Sequence, residues 1–418
     1  MRVDHLIIRE RNRPTLGAGH PPARATTVFA TCLVLGLLLT VSAADAHVKW
    51  FVACNVSDNP LPLQSVFTPT FWLFATLFVV LFSLACVLEQ TMIGALLAKL
   101  LDRCTKPLHD RTEELLRAVA AVSFALLWAD GGLILTPELK GSSLWLSAIQ
   151  LLIPAYLFTR ATLPAAGAGI LVLYGYGAVV YGSFHMLDYP LFLGLGGYFV
   201  LSVSQNRKLR AARFDVLRWT VALSLLWPSI EKFVYPAWIA PIAAAHPELT
   251  LGFDVATVIT AAGVVEFGLA FALFWTPLVR RLAALALASL LIAATFDFGK
   301  LDGIGHMMII TILLTVVADP GRQPVHCRPA RAPFVSSAAL LATICLYTGV
   351  HTFYYGSWTA ALAPLAAGGT LLATVFLCLC GLGHALFRAA ARPPQHEASD
   401  ATEAAPAMPA QRILRLAS

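Results

Sequence analysis

The chain has 418 residues, of which 58% are hydrophobic and only 12% charged, against about 25% charged in ordinary soluble domains. Apolar runs of about 18 residues or more recur along it, each long enough to cross a hydrocarbon layer. That pattern excludes a soluble core-helix protein, and runs so long and so evenly apolar exclude barrel strands.

In chain order, apolar spans are predicted near 28–45, 70–90, 115–136, 144–160, 163–182, 189–204, 216–236, 255–277, 282–298, 304–318, 333–353 and 360–387. The fold class is therefore all-α, a polytopic helical membrane protein. With the N-terminus inside and the spans alternating, only Lys49, Lys140, Lys232 and Lys300 of the 29 Lys and Arg fall on the outer side. Cytoplasmic loops carry such a basic excess, so the net charge of +6 is topological. It is not a footprint for nucleic acid, and the expected surroundings are the lipid bilayer of a bacterial-type cytoplasmic (inner) membrane.

Residues 1–46 read as a secretory signal or an uncleaved signal anchor. A polar, Arg-containing stretch is followed by the apolar run Val28 to Ser42 and then by Ala44-Asp45-Ala46, the n-region, h-region and small-residue site of a signal. Cleavage after Ala46 would leave His47 with a free amine beside its imidazole, a pair suited to Cu(II) if a second histidine joins it. The plain alternative is an ordinary loop histidine. The eight cysteines form no C-x-x-C motif, and Cys54 alone lies clearly outside, so they build no disulfide framework.

Residues 47–113 hold an outer segment, a membrane helix and a basic cytoplasmic loop. Two similar stretches follow, 114–205 and 216–320. The first opens Leu116-Arg117 and reaches Leu126-Leu127-Trp128; the second opens Leu217-Arg218 and reaches Leu225-Leu226-Trp227. Gln150, followed by Leu157-Phe158-Thr159-Arg160, corresponds to Glu266, followed by Leu273-Phe274-Trp275-Thr276. Each third span ends in F-x-x-L-D, Phe184 to Asp188 and Phe298 to Asp302. An even number of spans per copy keeps both copies in one orientation, so the expectation is two parallel four-helix membrane bundles. A basic linker joins them over 206–215 and a cytoplasmic loop follows at 321–332. A membrane helix hairpin is expected over 333–388, and a Pro-, Ala- and Glu-rich tail over 389–418 reads as disordered.

Ionisable groups inside a membrane are costly and are usually functional. Glu266 lies mid-span, and Glu231 with Lys232 near the outer end of a span. Trp227 and Glu231, four residues apart, share a helix face. A second group gathers at the outer ends: His185 and Asp188 in one copy, and Asp297, Lys300, Asp302 and His306 in the other, with His351 on a later span. Such carboxylates and imidazoles can relay protons, bind a metal or hydrogen-bond a quinone head group. They can also be a solvated rim with internal ion pairs. The candidate proton-handling residues are Glu266, Glu231, Lys232, Asp302 and Asp297; the candidate metal ligands are His47, His185 and His306.

The second copy resembles the DoxX-like family of four-helix membrane proteins. The resemblance rests on Leu217-Arg218, Glu231-Lys232-Phe233 with Pro236, Val265-Glu266-Phe267-Gly268-Leu269-Ala270, and Arg280-Arg281-Leu282-Ala283-Ala284. The first copy is similar only weakly, with Gln150 in place of the acid. Members of that family have been linked to quinone-coupled sulfur oxidation and to membrane redox complexes. The resemblance thus implies a membrane subunit of a quinone-linked redox system, with soluble or membrane redox proteins as partners. Two alternatives stand beside it, a copper-handling or transport protein and a non-catalytic membrane scaffold.

Overall fold

The computed structural model describes residues 54–250, 252–321 and 329–356. The signal or anchor, His47, the first predicted span, the span near 360–387 and the tail lie outside the described residues. Within them the chain is all-helical, with one isolated bridge between Leu133 and Lys140. Five helices are long and apolar enough to cross a membrane: Pro69–Leu88, Leu163–Val180, Val255–Ala272, Pro277–Ala318 and Pro329–Tyr355. Leu144–Leu157, Pro190–Ser202 and Pro236–Ala245 are shorter and equally apolar in character.

The main helices are α1 (Pro69–Leu88), α2 (Met92–His109), α3 (Thr112–Ala129), α4 (Leu144–Leu157), α5 (Leu163–Val180) and α6 (Pro190–Ser202). They continue as α7 (Arg207–Val234), α8 (Pro236–Ala245), α9 (Val255–Ala272), α10 (Pro277–Ala318) and α11 (Ala332–Tyr355). Their starts follow from local chemistry. Thr68 caps α1 by accepting from the Phe71 amide, with Pro69 at the first helical position, where its missing N–H costs nothing. Asp254 caps α9 through the Thr257 amide at 3.0 Å. Hydrogen bonds from Thr257 hold its carboxyl below the usual range.

The linker 206–215 is helical and belongs to α7. The Asn206 side chain accepts from the Lys208 and Leu209 amides, and the Arg, Lys, Leu and Ala that follow are strong helix formers. Helix α10 is two limbs that reverse at Gly299, which sits at φ 83°. The reversal shows in a contact: Arg281 Nε donates to the Val317 carbonyl at 2.7 Å, whereas residues 36 apart on a straight helix lie about 54 Å apart. Only glycine adopts that φ without strain.

The helices form one connected bundle. Helix α7 packs on α6 and α9, α5 lies between α4 and α6, and α3 meets α4 and α10. Helix α1 lies against α9 and α11, and α11 reaches α7. Small residues bring the backbones close, as in membrane helix pairs. A Cβ on Gly167 would stand 2.5 Å from the Gly196 carbonyl, and one on Gly194 would fall 1.7 Å from the Thr220 hydroxyl. The outward faces carry large apolar side chains, among them Leu73, Leu84, Val179 and Phe296, a surface that water penalises and lipid does not.

Buried and half-buried arginines gather at one end of the bundle. Arg117 donates to the Leu157 and Phe158 carbonyls at the C-terminus of α4, through Nε at 2.7 Å to the first. Arg218 Nη1 donates to the Leu273 carbonyl just past α9 at 2.8 Å. Arg281 does the same for Val317 near the end of α10. In each case a cation meets carbonyls that have no partner within their own helix, at the negative end of the helix dipole. At the same end the Glu89 carboxylate accepts from the Thr276 hydroxyl and, at 2.8 Å, from the Leu278 amide, closing the N-terminus of α10.

Helix α2 fills the predicted basic loop. Glu89, just before it, touches Thr276 and Leu278, and Asp102 and Thr105, further along, touch Arg281. The turn 89–91 and about three turns of α2 join the two contacts, and both fall on residues 276–281 around the start of α10. Helix α2 therefore lies across the basic end of the bundle and does not traverse it.

Candidate functional site

At the opposite end, α7, α11 and the 3-10 turn His185–Asp188 enclose an acid in an aromatic chamber. Glu231 is buried, and its Oε1 accepts from the Tyr347 hydroxyl at 2.9 Å. One turn back on α7, the Trp227 ring lies 4.7 Å from Tyr347. Phe184 packs 5.9 Å from Trp227, 5.4 Å from Tyr347 and 5.4 Å from His351. Tyr235 completes the wall against Tyr347 and His351. Asp188, at the end of that turn, is also buried. The indole N–H of Trp227 is buried and has no hydrogen-bond partner among the described residues.

The segment after Cys54 closes this chamber. The Val56 carbonyl accepts from His351 Nε2 at 3.1 Å, the Asp58 carbonyl from the Tyr235 hydroxyl at 3.0 Å, and the Leu61 amide donates to the Val234 carbonyl at 2.9 Å. Pro228 lies in α7 between Trp227 and Glu231. It removes one backbone donor from the turn that presents both side chains.

Glu266 and Lys232 form an ion pair at 2.7 Å beside the chamber. Gly263 makes the approach possible, because a Cβ there would meet the Phe233 ring at 2.7 Å and the Lys232 Cβ at 3.1 Å. The mid-span acid expected from the sequence thus has the lysine as its partner. A further pair is buried in the second limb of α10, where His306 Nδ1 lies 2.9 Å from Asp302 Oδ2. Asp302 Oδ1 has no hydrogen-bond partner among the described residues. Lys300 reaches across to Asp130 at 2.7 Å. Asp297 is exposed and stands apart from these pairs.

His185 and His306 are each held by a carboxylate, His185 by Glu138 at 2.6 Å and His306 by Asp302. No group of three or more His, Cys, Asp or Glu side chains among the described residues is arranged to hold a metal ion. Gln150, the counterpart expected for Glu266, is buried and donates to the Phe124 and Leu133 carbonyls. It thereby pins the folded-back segment between α3 and α4.

The sequence reading reached Glu231, Trp227, Asp188 and His351 but not Tyr347, the hydrogen-bond donor to Glu231. Its signal was present in α11. Ser336, Leu340, Ile344, Tyr347 and His351 are buried at steps of three and four, one helix face, and the two polar rings stand at its far end. Glu138, which pairs with His185 and accepts from the Tyr189 hydroxyl, also went unread because it lies about 50 positions from both. No family model, curated protein or solved structure matches the chain.

Proposed function

We propose that this chain is a multi-pass protein of a bacterial-type cytoplasmic membrane and the membrane subunit of a quinone-linked redox system. The observation that carries the reading is the buried Glu231–Tyr347 hydrogen bond inside an aromatic chamber. Flat aromatic walls suit a planar ring, and a carboxylate bonded to a phenol can take up and pass on a proton. The chemistry suits a quinone head group: the buried indole N–H of Trp227 has no acceptor among the described residues, and a ring carbonyl would supply one. A quinone, when bound, supplies two-electron, two-proton chemistry. In this reading Glu231 holds the proton at Oε2 while Tyr347 orients the carboxylate through Oε1, and Lys232–Glu266 lies beside the route. Soluble or membrane redox proteins are the partners.

The architecture proposed is two parallel copies of one four-helix unit of the DoxX-like kind, α3 to α6 and α7 to α10. Three matches support it. Arg117 and Arg218 bond the carbonyls of Leu157 and Leu273. Gln150 and Glu266 each lie seven residues before those carbonyls. Asp130 and Glu231 each lie thirteen residues after those arginines. A parallel pair relates by rotation about the membrane normal. The basic end then faces the cytoplasm, and reporter fusions after Arg210 and after Asp302 will give opposite signals. Matching signals would refute this topology.

The redox reading is tested on protein purified in nanodiscs of native lipid, by extracting and quantifying retained quinone. Wild type is expected to retain it in near-equimolar amount. Trp227→Phe, which loses one donor, is expected to bind roughly tenfold more weakly, the loss of one hydrogen bond in a dry site, whereas Glu231→Gln, which keeps an acceptor for Tyr347 and an N–H in place of the Oε2 proton, should retain quinone near the wild-type level. Quinone retention that is absent, or unaltered in Trp227→Phe, would sink the redox reading and leave the scaffold reading.

A further inference from the structure

Helix α2 has three faces. One is docked: Asp102 lies 2.6 Å from the Arg281 guanidinium, Thr105 stands beside it, and Leu97, Ala98, Leu101 and Leu108 are half-buried. A second is an apolar strip of Met92, Ile93, Leu96 and Leu100, with Met92 90% exposed and Leu96 67%. Between them runs a basic edge. Lys99, Arg103 and Lys106 follow at steps of four and three, so they stand above one another on the helix, and all three are exposed. Arg103 makes no ion pair among the described residues, and Lys106 has only a loose contact at 3.7 Å to the exposed Asp110.

The strip and the edge are placed for a membrane surface. Helix α2 lies across the basic end, directly after α1, whose exposed Leu77, Leu81, Leu84 and Val87 lead down to the turn at Glu89. The apolar surface of a crossing helix therefore continues onto a helix lying flat. A flat helix with an apolar face and a Lys/Arg flank is the form that settles at the boundary of headgroups and acyl chains. Water would leave the four apolar side chains unfavourably exposed. A neutral lipid surface would cover them but leave three cations unanswered.

We propose that α2 is an interfacial helix that binds the headgroups of anionic phospholipids at the cytoplasmic leaflet through Lys99, Arg103 and Lys106. The apolar strip sets the depth and the basic edge supplies the selectivity for charge. Each cation near such a surface strengthens binding roughly fivefold, and Asp102 is kept out of the contact because Arg281 engages it. The inference rests on the membrane placement alone, so it stands or falls separately from quinone binding.

The test uses the full chain released from detergent in native mass spectrometry, titrated with phosphatidylglycerol and, separately, phosphatidylcholine. Wild type is expected to hold phosphatidylglycerol preferentially. The variant Lys99→Gln, Arg103→Gln, Lys106→Gln should lose that preference, with affinity falling roughly tenfold or more. A charge-matched control, Arg207→Gln, Lys208→Gln, Arg210→Gln, alters exposed cations at the start of α7 and should keep it. Excess inorganic phosphate should not displace the lipid. Equal loss in both variants, no loss in either, or displacement by phosphate alone would overturn the proposal.

Discussion

Arg281→Leu is expected to destabilise the folded protein by about 3 kcal/mol, the lower end for breaking a buried ion pair by removing one partner. The side chain is 2% exposed and serves three acceptors at once: the Val317 carbonyl, Asp102 and the Thr105 hydroxyl. Truncation leaves the carbonyl without its donor and Asp102 without its cation. The lower end applies because Asp102 is 39% exposed and regains some solvation. Arg281→Lys should recover little, since an ammonium on a flexible stem cannot present the planar fork that spans α2 and both limbs of α10. The contrast is Arg160→Leu. Arg160 pairs with Glu113 at 3.1 Å but is 61% exposed, and such pairs contribute well under 1 kcal/mol. Unfolding of both variants in mixed micelles, followed by circular dichroism, checks this. Equal losses in the two would show that the buried clamp has no special role.

The second large effect is expected at Glu266. Glu266→Leu should destabilise by roughly 2 kcal/mol, because it leaves the Lys232 ammonium, 17% exposed, without a counter-charge among apolar helices. Removing both charges, with Lys232→Met added, should restore most of that loss. The coupling measured by the double-mutant cycle is then at least as large as that recovery, since the loss in Lys232→Met alone adds to it. Glu266→Gln keeps an acceptor for the lysine at lower strength and should fall between. The cycle also separates roles. If Glu266→Gln folds like wild type yet loses the cellular phenotype, titration at this position matters and the redox reading gains. If the pure double replacement restores both stability and phenotype, the pair is structural and the proton route does not pass through it. A Glu266→Leu variant as stable as wild type would show that the pair contributes nothing.

The membrane class of this chain was written in its composition. Apolar runs of span length admit one backbone solution, the helix, because hydrocarbon offers no partner to a bare amide or carbonyl. A break between the apolar runs near 282–298 and 304–318 was legible too, and Gly299 within it takes the φ that other residues avoid. Mid-span Glu266 was legible as a group needing a partner, since a lone carboxylate has no stable place there. Which partner it takes was not. Lys232 lies 34 positions away, and only the crossing of α7 with α9 at Gly263 brings the two to 2.7 Å.

Tertiary structure alone decided the rest. A hydropathy window averages over all faces of a helix, so it read α2 as a basic loop; the docked, apolar and basic faces separate only once Asp102 meets Arg281. The arginines could be placed at the membrane edge from sequence. Their role as donors to the carbonyls of Leu157, Leu273 and Val317 depends on helix ends that are distant in the chain. The aromatic chamber is the clearest case. Glu231 and Tyr347 stand 116 positions apart, on helices whose contact no local pattern specifies. A side chain's period along its own helix tells which way it faces, whereas the neighbour it faces is fixed by how the whole bundle packs.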